Sequence, residues 1–301
     1  MPNRLPLALR AWSTTRRLGR FRGQAKLAVT VGRRALRAGE AYRTPDGLVL
    51  QVDPSDDYQV LMALGLWERA SVEVITGLVR PGDVTIDAGA HFGYLALHAA
   101  RATGPGGEVH AFEIDPRLLA PLRRHVELNG VPWLRVVDQA LTDVEGELRL
   151  RMPAQRGWAT VRDDWLFSDS PTVPVRSTTL DAYVRNADIE PARISLIKVD
   201  VEGSEPELLQ GARETLVSTD AAVLVEVFAE RLDATGHSLA ELDEEMARHG
   251  YERRSIRAGR RLRLDAPADA SADPRGDVIY LKRSARARAT RPPAARRILP
   301  G

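Results

Sequence analysis

The stretch VTIDAGAHFGY, residues 84–94, constrains the fold of this chain more than any other. A short apolar run, Val84 to Ile86, leads into Asp87 and then two glycines four apart, Gly89 and Gly93. An apolar, alanine-rich stretch follows, from Tyr94 to Ala102. The pattern is that of a strand, a tight turn and a helix, because glycine adopts backbone shapes that other residues resist. Such a turn brings a ligand close to the backbone at a helix start.

The chain then alternates. Strands are expected at Val84–Asp87, Glu108–Glu113, Leu134–Leu141, Gly146–Met152, Ile194–Asp200, Ala221–Phe228, Tyr251–Arg257 and Asp277–Leu281. Helices are expected at Phe92–Thr103, Pro116–Asn129, Thr179–Ala187, Ser204–Ser218 and Ser238–His249. Ahead of them, Ala41 to Val52 reads as a hairpin around Pro45-Asp46-Gly47, and Asp56 to Val79 has apolar residues at helical spacing. Residues 153–173 read as a loop-like insert with Trp158, Trp165 and Phe167, either a lid over an acceptor or rings packed onto the body. Alternation of this kind implies an α/β fold with right-handed crossovers and a mostly parallel sheet. Ligands of such sheets lie outside the carboxyl ends of the strands, where Asp87, Glu113, Asp138 and Asp200 fall.

Those acids select the ligand chemistry. A dinucleotide turn uses G-x-G-x-x-G, so that a pyrophosphate can approach the backbone N–H groups. Here Asp87 replaces the first glycine and would repel phosphate. A ligand with a positive centre and no phosphate is favoured, and S-adenosylmethionine has that chemistry. Glu113, 26 residues later, suits the two ribose hydroxyls. Asp138, Gln139 and Ala140, ending the third strand, are candidates for the adenine side. In LIKVDVEGSE, residues 196–205, a helix N-terminus explains Glu205 but not Lys198 or Asp200, which precede it.

Charge is divided unevenly over the 301 residues. Residues 1–40 carry ten Lys/Arg and one acid, and residues 282–301 carry seven Lys/Arg and none, which leaves 26 basic and 40 acidic side chains between them. An acidic body argues against a nucleic-acid partner. Both basic ends read as solvated arms. The alternative for the first is weak contact with an anionic membrane surface through Leu5, Leu7, Leu9, Trp12, Leu18 and Phe21. Cysteine is absent, so thiolate chemistry is excluded. No apolar run approaches the length of a membrane span and the first thirty residues lack a signal-peptide core, which together suggest a cytoplasmic, at most peripheral, protein.

VTIDAGAHFGY, HAFEIDP, QALTDVEGEL, STTLDAYV, LIKVDVEGSEPELLQGA and VLVEVF together resemble the FkbM family of S-adenosylmethionine-dependent methyltransferases over about residues 80 to 255. The resemblance implies a class I methyltransferase fold, a Rossmann-like three-layer sandwich whose seven-stranded, mostly parallel sheet has an antiparallel last strand. It implies methylation of a hydroxyl on a sugar or secondary-metabolite scaffold. Asp87, Gly89, Ala90, His91, Gly93, Glu113, Ile114, Asp138, Gln139, Ala140 and Asp200 are then the cofactor candidates. Asp200 is the first candidate for a base and His91, standing where the family usually has asparagine, the second; Lys198 and Glu202 complete the catalytic set. Glu202 and Glu226 could instead join Asp200 around a hard divalent cation. Four segments are expected: a basic arm at 1–40, an extension at 41–80 packed on the core, the catalytic domain at 81–283, and a tail at 284–301 without fixed structure. A non-catalytic cofactor-binding or membrane-surface module and a nucleic-acid methyltransferase are the competing readings.

Overall fold

Residues 2–6, 9–10, 24–154, 159–161, 169–228, 232, 236–256, 264 and 275–283 are described in the structure, a computed structural model of the chain. In chain order the first elements are β1 (Asn3–Arg4), α1 (Gln24–Ala35), β2 (Ala41–Arg43), β3 (Val49–Gln51), α2 (Asp57–Ala63) and α3 (Arg69–Leu78). Then come β4 (Val84–Ala88), α4 (Tyr94–Thr103), β5 (Glu108–Phe112), α5 (Pro116–Asn129), β6 (Leu134–Val137), β7 (Ala140–Leu141), β8 (Gly146–Arg151) and β9 (Thr172–Thr178). The last are α6 (Leu180–Asn186), β10 (Ile194–Val199), α7 (Glu205–Gln210), α8 (Arg213–Ser218), β11 (Ala222–Phe228), α9 (Leu239–Arg248), β12 (Tyr251–Arg254) and β13 (Arg275–Lys282).

Local chemistry sets many of these boundaries. Asp115 caps α5 by accepting from Arg117 N–H, Pro116 opens the helix with its ring, and Gly130 closes it in the left-handed region. Ser238 and Glu241 cap α9 reciprocally. The central sheet has the order β12-β13-β11-β10-β4-β5-β6, and β13 alone runs antiparallel to its neighbours. Alternate strand residues separate its two faces: Leu196, Ala222 and Leu224 pack beneath α1 to α5, while Ile197, Val223 and Val225 pack against α6 to α9. That is the three-layer sandwich expected.

Several expectations are corrected. The helical stretch at 56–79 is two helices, because Gly65 and Glu68 both take positive φ between them. The helix at 204–218 also breaks, at Gly211, where a Cβ would lie 2.0 Å from Thr142 O. Strand 134–141 divides: β6 stays in the central sheet and β7 joins β9 and β8 in a small one. Strand β9 was hidden at the end of the supposed insert, where Pro174 interrupts a run that pairs with β8 as a hairpin. The N-terminal arm is not simply solvated. Asn3 and Arg4 pair with β2, residues 24–35 form a helix, and Leu5 and Leu9 are buried. Complete burial of a leucine such as Leu9 contributes roughly 1.5–3 kcal/mol toward offsetting the cost of ordering the segment. Leu7, Trp12, Leu18, Phe21, Trp158, Trp165, Phe167 and the tail at 284–301 lie outside the described residues. Among the described residues no helix is long and apolar enough to cross a membrane.

Candidate active site

The carboxyl ends of β4, β5, β10 and β11 open into a cavity of about 250 Å³. The turn after β4 supplies Ala88 to His91, and the end of β5 supplies Phe112 to Asp115. Gln139, Ala140 and Leu141 form one flank; Lys198, Asp200, Val201, Glu202, Ser204, Glu226 and Phe228 form the other. Tyr58, Met62, Trp67 and Glu68 close it from α2 and the turn before α3, and Ala159 and Val161 close it from the insert.

The turn is fastened to both neighbouring strands. Gly89 and Ala90 N–H both donate to Phe112 O, at 3.0 and 2.8 Å, and Asp200 N–H donates to Ala88 O at 3.1 Å. Gly89 has a φ of +80°, and a Cβ there would lie 1.7 Å from Asp200 O. A Cβ on Gly93 would lie 2.3 Å from Leu122. The protein's own packing therefore already demands both glycines, before any ligand is considered. His91 keeps the left-handed shape, with a φ of 54°, and its ring packs edge-on to Phe92 and Tyr58. Burial pushes its imidazole down to about 4, so the ring is neutral at physiological pH.

Glu113 is 8% exposed and accepts three backbone N–H bonds: His91 on Oε2 at 2.7 Å, Ile114 and Asp115 on Oε1 at 2.8 Å each. Oε1 is filled, and Oε2 keeps one lone-pair site. The carboxylate thus has room for a further donor on Oε2. Burial pushes the group up to about 7 against those three N–H bonds.

Lys198 stands at the centre of the other flank. Its Nζ lies 2.9 Å from Gly89 O, 3.2 Å from Asp87 Oδ1 and 3.1 Å from Asp200 Oδ2. Burial alone would lower it, but the charges of Asp200, Asp87 and Glu68 hold it well above the usual lysine value. It is a fixed ammonium, not a base. Asp87 is 2% exposed and lies behind the cavity wall beside Lys198, so it does not face the ligand space as its motif position suggested. Parallel pairing sets Lys198 against Asp87 on the same face of the sheet. Burial pushes Asp87 up, and Lys198 opposes the shift.

Asp200, Glu202 and Glu226 each offer a carboxylate oxygen, all within 4.8 Å of one another. Asp200 is already engaged by Lys198 and by a hydrogen bond with Glu226. Burial works to raise Asp200, but Lys198 and that bond hold it low. Glu226 is held high, by burial and then by the charge of Asp200. Glu68 was not foreseen; burial pushes it up to about 8.

Of the expected cofactor residues, Gly89, Ala90, His91, Glu113, Ile114, Gln139, Ala140 and Asp200 line the cavity. Asp138 does not; it is half exposed and paired with Arg176 at 2.9 Å. Tyr58, Trp67 and Glu68 were missed because only the fold brings that segment over the strand ends. The left-handed turn at Glu68 carried no glycine to announce it.

Strand order, the single antiparallel strand and a cavity over the carboxyl ends define a class I methyltransferase. The sequence model of the Methyltransferase FkbM domain matches residues 87–253, more than half of the chain, and the chain belongs to that family. It is 27% identical over 217 residues to the AMB antimetabolite synthetase AmbE of Pseudomonas aeruginosa, covering 58% of this chain but only 10% of that one. It is 26% identical over 162 residues to the 2-O-methyltransferase NoeI of Sinorhizobium fredii, covering 49% of this chain and 64% of that one. It is 30% identical over 201 residues to the 31-O-demethyl-FK506 methyltransferase FkbM of Streptomyces tacrolimicus, covering 58% and 74%. The chain therefore spans less than two thirds of the length of the first two relatives. Among solved structures it overlaps the methyltransferase FkbM from Methylobacillus flagellatus at 17% identity and a TM-score of 0.42, covering 86% of this chain and 59% of that one.

Proposed function

We propose that the chain transfers a methyl group from S-adenosylmethionine to a hydroxyl of a small-molecule or glycan acceptor. Glu113 carries this reading: a buried carboxylate at the end of β5 with one lone-pair site still open, beside a glycine turn. One ribose hydroxyl satisfies that site. Ala88 to His91 offer backbone to the cofactor, Ile114 an apolar contact, and Gln139 and Ala140 a flank for the adenine.

The charge of the cavity supports the same cofactor. Among the described lining residues Lys198 is the sole lysine or arginine, and two carboxylates hold it. The N–H groups of Gly89, Ala90 and His91 already donate to Phe112 O and Glu113 Oε2, so the turn does not offer them to a pyrophosphate, which disfavours a nicotinamide cofactor. The residues present fit a ligand with a ribose and a positive centre.

S-adenosylmethionine supplies an electrophilic methyl on a good leaving group. The protein then mainly orients the acceptor, which accounts for roughly 7–11 kcal/mol of the barrier in well-placed reactions. As the new carbon–oxygen bond forms, the acceptor O–H becomes acidic, and a modest base suffices. Asp200, held ionised by Lys198 and facing the cavity, takes the proton on its carboxylate. His91 is the second candidate, being neutral and cavity-facing. A hydroxyl acceptor agrees with the names of two relatives, a 2-O-methyltransferase and a 31-O-demethyl-FK506 methyltransferase.

The test is transfer of a deuterated methyl group from S-adenosylmethionine to a panel of sugars, macrolides and amines, read by mass spectrometry and NMR. The account expects a methyl ether. A methylated nitrogen as the main product would contradict it.

A further inference from the structure

The peptide joining Gly89 to Ala90 is gripped at both ends. Its N–H donates to Phe112 O at 2.8 Å, and its C=O accepts from Lys198 Nζ at 2.9 Å. The peptides on either side are held by other means. Ala88 O accepts from Asp200 N–H, and His91 N–H donates to Glu113 Oε2 at 2.7 Å. Only glycine fits at position 89, because a Cβ would strike Asp200 O. Glycine leaves the backbone loose, and looseness here would disturb the N–H that orients Glu113.

We propose that Lys198 is a positioning residue, whose hydrogen bond to Gly89 O fixes the turn and so sets His91 N–H and Glu113 for the cofactor. The proposal rests on the cofactor reading above. Lys198 is 7% exposed; its Nζ donates to Gly89 O and lies 3.2 Å from Asp87 Oδ1 and 3.1 Å from Asp200 Oδ2, on β4 and just past β10. The simpler account is that the lysine only neutralises Asp87 and Asp200. The two accounts differ in whether a neutral donor in place of the lysine recovers what a neutral non-donor loses, since both leave Asp200 equally unpaired.

The experiment compares the full chain with Asp87→Asn, the double variant Asp87→Asn/Lys198→Met, and the double variant Asp87→Asn/Lys198→Gln. S-adenosylhomocysteine affinity is measured by calorimetry, and amide hydrogen exchange over residues 88–92 by mass spectrometry. In the methionine double variant the positioning account expects affinity about tenfold below that of Asp87→Asn. It also expects faster exchange confined to the turn. The glutamine double variant keeps an N–H donor and should recover part of both. Equal affinity and equal exchange in the methionine double variant and in Asp87→Asn would overturn the proposal. So would failure of both double variants to fold, which would make Lys198 a determinant of the whole fold. If the unmodified chain binds neither S-adenosylmethionine nor S-adenosylhomocysteine, the cofactor reading itself fails and the proposal falls with it.

Discussion

His91 N–H donates to Glu113 Oε2 at 2.7 Å, joining the turn after the first sheet strand to the end of the second. The bond makes the glycine turn and the Glu113 carboxylate one unit. A change to either should be felt at both.

Glu113 gives a pH dependence with a definite sign. Burial raises it from 4.5 to about 7, so the folded protein holds more protons on it than the unfolded chain. Its favourable share of stability is complete below 4.5 and is lost as the pH rises through about 7. Ribose hydroxyls bond best to the ionised form, so ligand affinity runs the other way. Calorimetric affinity for S-adenosylhomocysteine should climb between pH of about 6 and about 8 and then level off. In Glu113→Gln that slope should vanish.

Gly89→Ala should be far worse than an ordinary surface change. Its Cβ would lie 1.7 Å from the Asp200 carbonyl, and the φ of +80° disfavours alanine in any case. We expect a loss of more than about 2 kcal/mol in denaturant unfolding, with cofactor binding abolished. A variant of normal stability would show that the end of β10 can withdraw from the turn.

Asp46 ties the hairpin to α4. Its Oδ2 lies 3.1 Å from His98 Nε2 and accepts from Tyr94 OH at 2.9 Å. Burial would raise its carboxyl, but His98, Thr44 and Tyr94 hold it well below the ordinary 3.8. A depressed carboxylate stabilises above its unfolded value and ceases to do so as pH falls toward the folded one. Asp46→Asn should cost about 1–3 kcal/mol at neutral pH, measured by urea unfolding. The difference from the unmodified chain should shrink below pH 3.8.

Glu68, pushed up to about 8 by burial, lines the cavity from outside the family-matched segment. Glu68→Gln should leave S-adenosylhomocysteine affinity within about threefold while lowering methyl transfer by about tenfold or more. An equal loss of both would place Glu68 on the cofactor side instead.

Removal of divalent ions should change methyl transfer by less than about twofold. The three carboxylates that could gather an ion include Asp200, which already lies 3.1 Å from an ammonium. Activity abolished by a chelator and restored by magnesium would contradict this.

The sequence made most of the central sheet readable because strands such as β4, β10 and β11 are short, largely apolar runs between turn residues, whereas β12 is Tyr-Glu-Arg-Arg. Glu113 was singled out because it ends a strand where ligands of such sheets lie, and it does line the cavity. Asp87 shows the limit. Its position in the motif announced a site residue, but only the register that sets it against Lys198 reveals that it faces the lysine behind the wall. Tyr58, Trp67 and Glu68 were beyond reach, since their approach to the cavity depends on how α2 and α3 pack across the strand ends. Asp200, Glu202 and Glu226, offered by the sequence as a possible set for a divalent cation, do bring carboxylate oxygens within 4.8 Å of one another, a meeting that spacing alone could not show.

The most direct test of the account is calorimetric titration of the unmodified chain and of Glu113→Gln with S-adenosylhomocysteine at a pH of about 8, where Glu113 is mostly ionised. The account predicts saturable binding by the unmodified chain and a loss of about tenfold or more in the variant. Equal binding by the two proteins would contradict the place given to Glu113, and no binding by the folded, unmodified chain would contradict the cofactor reading as a whole.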